Sequence, residues 1–132
     1  MTEPINILIV DDNEDLAENL KDILIEFGYG ASVALSGAEA LAFSETTPFD
    51  LALLDYKLPD MDGLQLRDRL AETSDAAYII ITGVAPEARM EDAVRDGRII
   101  ALETKPLNMA RLLSRIQEVA DSRGATGTGG DR

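Results

Sequence analysis

The chain has 132 residues, enough for one domain with its own core, and sets 12 Lys and Arg against 25 Asp and Glu for a formal net charge of −13. That charge repels phosphate backbones, and with only 5% aromatic residues to stack on bases it argues against autonomous nucleic-acid binding. The absence of cysteine and histidine excludes disulfides, thiol chemistry, Cys- or His-ligated metals, Ser-His triads and histidine general bases.

No apolar run is long enough to cross a membrane, and Met1-Thr2-Glu3-Pro4 lacks the basic and apolar segments of a secretion signal, so a cytoplasmic location is expected. Residues 5–10 read as a first strand. Asn13 then caps a helix that ends near Phe27, with Leu16, Leu20, Ile23, Leu24 and Phe27 as its apolar stripe. Gly28-Tyr29-Gly30 stops that helix, and 31–35 form a weak edge strand. Ser36-Gly37-Ala38-Glu39 has capping-box form and opens a second helix that runs to about Ser44.

The third strand is 50–54, followed by turn-rich chain from Asp55 to Gly63 in which Asp60 and Asp62 read as turn formers. A third helix is expected over 64–72 and a fourth strand over 77–81. The fourth helix, about 87–96, is thin in apolar residues and so the least firmly held. A fifth strand at 99–103 precedes a last helix at 108–121, whose apolar face is Met109, Leu112, Leu113, Ile116 and Val119. The Gly/Thr-rich tail, 122–132, reads as disordered.

Four of the strands are nearly continuous in apolar residues, as parallel strands covered on both faces are. Alternating strands and helices give an α/β fold with a doubly wound, five-stranded parallel sheet and five helices. Ligands of such sheets bind at the carboxyl ends of the strands. There the chain places Asp11-Asp12, Asp55, Thr82 and Lys105-Pro106. Three carboxylates suit Mg²⁺, which prefers oxygen ligands, and the metal relieves their mutual repulsion. A positioned carboxylate can attack phosphorus, Lys105 can offset charge on a phosphoryl oxygen, and Thr82 can donate to another. Gly83 leaves room for a backbone N–H to approach. Pro106 restricts Lys105 to extended backbone.

The segments Ile7-Leu8-Ile9-Val10-Asp11-Asp12-Asn13, Asp55-Tyr56-Lys57-Leu58-Pro59-Asp60-Met61-Asp62-Gly63, Thr82-Gly83 and Lys105-Pro106-Leu107 resemble the receiver domain of two-component response regulators, the CheY-like family. The resemblance covers residues 4–121. It implies the strand order 2-1-3-4-5 and a cis Lys105–Pro106 peptide. It makes Asp55 the phosphoacceptor, Asp12 a direct metal ligand, and Asp11 a ligand largely through metal-bound water. The backbone carbonyl of Lys57 completes the protein's share of an Mg²⁺ or Mn²⁺ shell, and Thr82 and Lys105 read the phosphorylated state. The Lys57 side chain is expected in solvent, and Tyr56 as a partly exposed neighbour of the site.

The resemblance further implies a phosphohistidine donor on a sensor histidine kinase or histidine phosphotransfer protein, with acetyl phosphate as a small substitute. It implies a downstream protein bound on the face of the fourth helix, fifth strand and fifth helix, and a monomer or a phosphorylation-dependent dimer. The domain would catalyse only its own phosphorylation and dephosphorylation. Receivers usually carry Tyr or Phe three residues before the lysine, where this chain has Leu102, and the spacing from Gly97 to Lys105 is one residue longer than usual. Three alternatives stand beside a single-domain switch. They are a phosphorelay shuttle, a phosphorylation-independent pseudo-receiver scaffold, and a haloacid-dehalogenase-type phosphatase, for which the adjacent Asp11-Asp12 pair is the wrong pattern.

Overall fold

A computed structural model describes the backbone of residues 4–129 and the side chains through Arg123. In chain order the elements are β1 (Asn6–Val10), α1 (Glu14–Glu26), β2 (Gly30–Ala34), α2 (Gly37–Thr46), β3 (Leu51–Asp55), α3 (Gly63–Leu70), β4 (Ala77–Thr82), α4 (Ala88–Arg95), β5 (Ala101–Thr104) and α5 (Met109–Gly129). The five strands are parallel in the order β2-β1-β3-β4-β5.

Alternation along each strand divides the core in two. Leu8, Val10, Ala52, Leu54, Tyr78 and Ile80 face α2, α3 and α4, where Ala40, Leu66, Leu70, Met90 and Ala93 meet them. Ile7, Ile9, Leu51, Leu53, Ile79 and Ile81 face α1 and α5, where Leu20, Leu24, Leu112, Ile116 and Val119 meet them. Strands covered this way have no polar face, which is why their sequences do not alternate. The two edge strands are the exceptions: the first four residues of β2 are half-buried, and in β5 Leu102 is half-buried and Thr104 exposed.

Local chemistry sets the helix starts. Asn13 Oδ1 accepts from Leu16 N at 3.1 Å and caps α1; Gly28, at φ +94°, ends the turn after it. Asn108 caps α5 through Arg111 N. The expected capping box at Ser36 forms only half. Ser36 Oγ accepts from Glu39 N, but Glu39 reaches back to Leu35 N, one residue before the cap. The complete box is at α3, where Asp62 and Gln65 exchange bonds at 2.8 and 3.0 Å. Asp62 is therefore a helix cap rather than only a turn former. Asp60 also caps: its two carboxylate oxygens accept from Gly37 N and Ala38 N at the start of α2, which holds its carboxyl below the usual range.

Most boundaries fall within two residues of expectation, and two of the differences have a physical reason. Ile99 is buried in the α4-side core while Ile100 is exposed, so 98–100 bend and β5 begins at Ala101. α5 runs past the expected end near 121 to Gly129, since each residue added to an existing helix gains a backbone bond without a new nucleus. The expectation of unstructured chain over 122–132 also takes in 130–132, which lie outside the described residues. Among the described residues no helix is long and apolar enough to cross a membrane.

Candidate functional site

Strand register assembles the site. Val10 pairs with Leu54, so Asp11 and Asp55 leave the sheet side by side. Asp55 pairs with Ile81 and Thr82 with Thr104, which puts Thr82 and Lys105 one step further along the same edge. Lys105 N donates to Thr82 O at 2.8 Å and fixes that step. The Lys105–Pro106 peptide is cis, as the resemblance implies.

Oxygens of Asp11, Asp12 and Asp55 lie within 4.8 Å of one another; Asp11 and Asp55 are buried and Asp12 is exposed. Asp11 Oδ1 accepts from Asn13 N at 2.9 Å, which aims its other oxygen at Lys105. Lys105 Nζ is 3.1 Å from Asp11 Oδ2 and 3.5 Å from Asp55 Oδ1. Burial, and then the Asp11 charge, push the Asp55 carboxyl up from 3.8 to about 6, against the opposing pull of Lys105. Burial works to lower the Lys105 pKa, but its hydrogen bond to Asp11 and the charges of Asp55 and Asp11 outweigh burial and hold the ammonium above its ordinary value.

These side chains open into a cleft of about 800 Å³ lined by Asp12, Asp55, Tyr56, Lys57, Leu58, Pro59, Thr82, Gly83, Val84, Ala85, Glu87 and Lys105. Every sequence-predicted site residue except buried Asp11 lines it, and Asp11 touches it through Lys105. The Lys57 side chain is exposed and Tyr56 partly so. Thr82 is buried, and its hydroxyl engages its own loop, accepting from Val84 N at 3.2 Å and donating to Val84 O at 3.4 Å. A Cβ on Gly83 would meet only the Lys105 side chain, at 3.9 Å, so space remains beside the site. Gly63 matters more. A Cβ there would sit 2.7 Å from the Asp55 carbonyl oxygen, so only glycine lets α3 start this close to the end of β3.

Sequence reasoning missed two participants. Asp62 carried a signal, Asp followed three residues later by Gln. Arg89, whose guanidinium bridges Tyr56 and Asp62, carried none, because an arginine on a polar helix face reads as solvated.

A 2-1-3-4-5 parallel sheet with an acid cluster, a threonine and a lysine at its carboxyl ends is a CheY-like doubly wound domain. Residues 7–117 match the model of the response regulator receiver domain, and the chain belongs to that family. It is 40% identical over 107 residues to a response regulator receiver protein of Anaeromyxobacter sp. (strain Fw109-5), covering 80% of this chain and 44% of that one. It is 32% identical to the response regulator receiver protein CpdR of Brucella abortus, covering 86% of this chain and 94% of that one. The chain thus spans about half the length of some curated relatives and nearly all of others. The solved CheY-like receiver domain from Methanospirillum hungatei JF-1 superposes with a TM-score of 0.83 at 34% identity, covering 91% of this chain and 96% of that one.

Proposed function

We propose that this chain is a single-domain receiver that takes a phosphoryl group from a phosphohistidine of a sensor kinase or histidine phosphotransfer protein onto Asp55, and so changes its partner-binding surface. The observation that carries this is the juxtaposition at Asp55. A buried carboxylate on a rigid strand end has two further carboxylates within 4.8 Å and an ammonium 3.5 Å away. Near-complete coverage of CpdR and of the Brucella ovis polar-differentiation response regulator DivK supports the single-domain reading.

The donor set fits a hard divalent cation. Three ionised carboxylates face one ammonium, which leaves two negative charges uncompensated, and all the ligand atoms are oxygens. Asp11, Asp12, Asp55 and the backbone carbonyl of Lys57 would hold Mg²⁺ or Mn²⁺. Bound there, the metal offsets the acid cluster's charge and the charge that develops on the transferring group. Among solved relatives, the response regulator TrrA of Thermotoga maritima, 27% identical with a TM-score of 0.74 over 87% of this chain and 98% of that one, was obtained in complex with Mg²⁺–BeF.

The chain's own residues do the rest. An Asp55 oxygen attacks phosphorus as the phosphorus–nitrogen bond breaks, and the donor imidazole leaves with the electron pair and takes up a proton. Lys105 stabilises charge on one phosphoryl oxygen as a point charge. Thr82 gives up its weak contact with Val84 and donates to another oxygen. Water later attacks phosphorus, which returns phosphate and free Asp55. The exposed apolar side chains Val94 on α4 and Ile100 just before β5 support the α4–β5–α5 face as the partner surface. Intact mass after incubation with acetyl phosphate and Mg²⁺ tests the reading. The parent should gain one phosphoryl group and Asp55→Asn none; gain by both would place the acceptor elsewhere.

A further inference from the structure

One side chain joins the first turn of α4 to the loop after β3. Arg89 Nη2 donates to the Tyr56 hydroxyl and, at 3.0 Å, to Asp62 Oδ2. Its guanidinium carbon lies 5.9 Å from the centre of the Tyr56 ring. The Tyr56 hydroxyl donates in turn to Glu87 Oε1 at 3.4 Å. Tyr56 directly follows Asp55, and both Tyr56 and Glu87 line the cleft. Asp62 uses its other oxygen to cap α3. The bridge therefore ties α4 to the two features beside Asp55 that are themselves fixed.

Little else holds the start of α4. The helix buries only Met90 and Ala93, and Glu87 at its N-cap makes no capping side-chain bond. The loop before it begins at Thr82, whose hydroxyl makes only the two long contacts to Val84. Drawing Thr82 toward a group on Asp55 pulls Val84 and the chain up to Glu87. The first turn of α4 can follow only if Arg89 releases Tyr56 or Asp62. Leu102 packs against the α4-side core and has no ring to turn, so this polar route connects the site to the helix.

We infer that Arg89 is a latch: its bridge from α4 to Tyr56 and Asp62 holds the helix where it lies in the unmodified protein and opposes the position it takes when Asp55 is modified. The inference rests on Asp55 being the phosphoacceptor. Coupling is reciprocal, so a latch that opposes the modified state must weaken binding of a phosphoryl mimic, and its removal must strengthen that binding.

The test is the affinity of the full chain for fluoroberyllate in saturating Mg²⁺, read by ¹⁹F NMR, with hydrogen exchange of the α4 amides measured without ligand. Arg89→Ala should bind about fivefold more tightly and exchange α4 amides about fivefold faster, with Arg89→Lys between it and the parent. Arg95→Ala removes the same charge from the same helix, where Arg95 pairs with Asp92 one turn back, and should change neither. Faster exchange with unchanged or weaker affinity would show a structural clamp and overturn the latch. An Arg95→Ala effect equal to that of Arg89→Ala would reduce it to net charge and overturn it as well. No binding by the parent would overturn the receiver reading itself, and the latch with it.

Discussion

In metal-free protein at neutral pH, Asp55 works against the fold. Its carboxyl is raised from 3.8 to about 6 by burial first and by the Asp11 charge second, even with Lys105 3.5 Å away. A raised acid pKa means that the folded chain holds this proton more tightly than the unfolded chain does. Stability from this group is therefore fully present below about pH 4 and is lost as pH rises through about 6. The whole shift corresponds to about 3 kcal/mol at 1.36 kcal/mol per pH unit. Asp55→Asn keeps the shape and removes the charge, and Lys105 keeps its 3.1 Å contact with Asp11. Because Asn gives up part of the attraction to Lys105, the expected gain at pH 7.5 is about 1–3 kcal/mol.

Urea unfolding of parent and variant, followed by circular dichroism from pH 4 to 8 with a chelator present, measures the difference directly. Titrating groups that do not interact with Asp55 cancel between the two proteins. The variant's advantage should be full at pH 7.5, fall through about pH 6 and vanish near pH 4. Millimolar Mg²⁺ should shrink it further, because the metal stabilises only the chain that binds it well. A variant no more stable than the parent at pH 7.5, or an advantage that is constant across this range, would refute the assignment of Asp55 as a buried, uncompensated charge.

Two glycines make opposite predictions from similar distances. Gly63→Ala places a methyl 2.7 Å from the Asp55 carbonyl oxygen and 3.0 Å from the Tyr56 Cα, neither of which can retreat, and should cost about 2–3 kcal/mol in urea unfolding and slow phosphoryl uptake at least about tenfold. Gly37→Ala meets only the flexible Met61 side chain, with Sδ at 2.6 Å and Cγ and Cε at 2.7 Å, and its cost should stay near about 1 kcal/mol. Buried Glu103 on β5 accepts from Arg111 Nε at 2.9 Å and Arg115 Nε at 2.8 Å on α5. Removing both arginines leaves an unpaired buried carboxylate and should cost about 3 kcal/mol or more, whereas Glu103→Leu should change stability by about 1 kcal/mol or less, in either direction. The same unfolding assay separates the two.

What the sequence made legible was whatever depended on periodicity and strand ends. The unbroken apolar runs at 7–10, 51–54 and 79–81 marked strands covered on both faces, and parallel register brings their ends level, so Asp55 and Thr82 line the cleft and Asp11 lies buried beside them. Asn13 and Gly28 bounded α1 as their chemistry dictates. Most of what failed depended on partners distant in sequence. Asp60 looked like a turn residue because its two N–H partners lie 23 and 22 positions earlier, at the start of α2. One failure was local: Glu39 has the spacing of a capping box but accepts from Leu35 N, four residues back and one before the cap. Ile99 and Ile100 continued an apolar run, yet only Ile99 fits under α4, so the strand starts later than the run does.

The same contrast bears on how the molecule can work. The half of the site that would perform the proposed chemistry is anchored by apolar burial: β1, β3 and β4 are almost wholly enclosed, and Asp11 and Asp55 inherit that rigidity. A nucleophile fixed this way needs no reorganisation before attack. The half that would move is fastened mainly by polar contacts, with only Met90 and Ala93 of α4 buried. Thr82 is tied to its loop by two long hydrogen bonds, α4 to its neighbours by Arg89 at one end, and the α4–β5 turn by Arg67 Nε to Arg98 O at 2.8 Å at the other. Single polar contacts of this kind are each weak and can be exchanged one at a time, whereas a buried aliphatic interface must be broken as a whole. A phosphoryl group on Asp55 would enter a site whose floor is stiff and whose wall is held by bonds that a single new hydrogen-bond acceptor can redistribute. In the proposed function, that asymmetry would let so small a covalent change act on α4 while leaving the sheet in place.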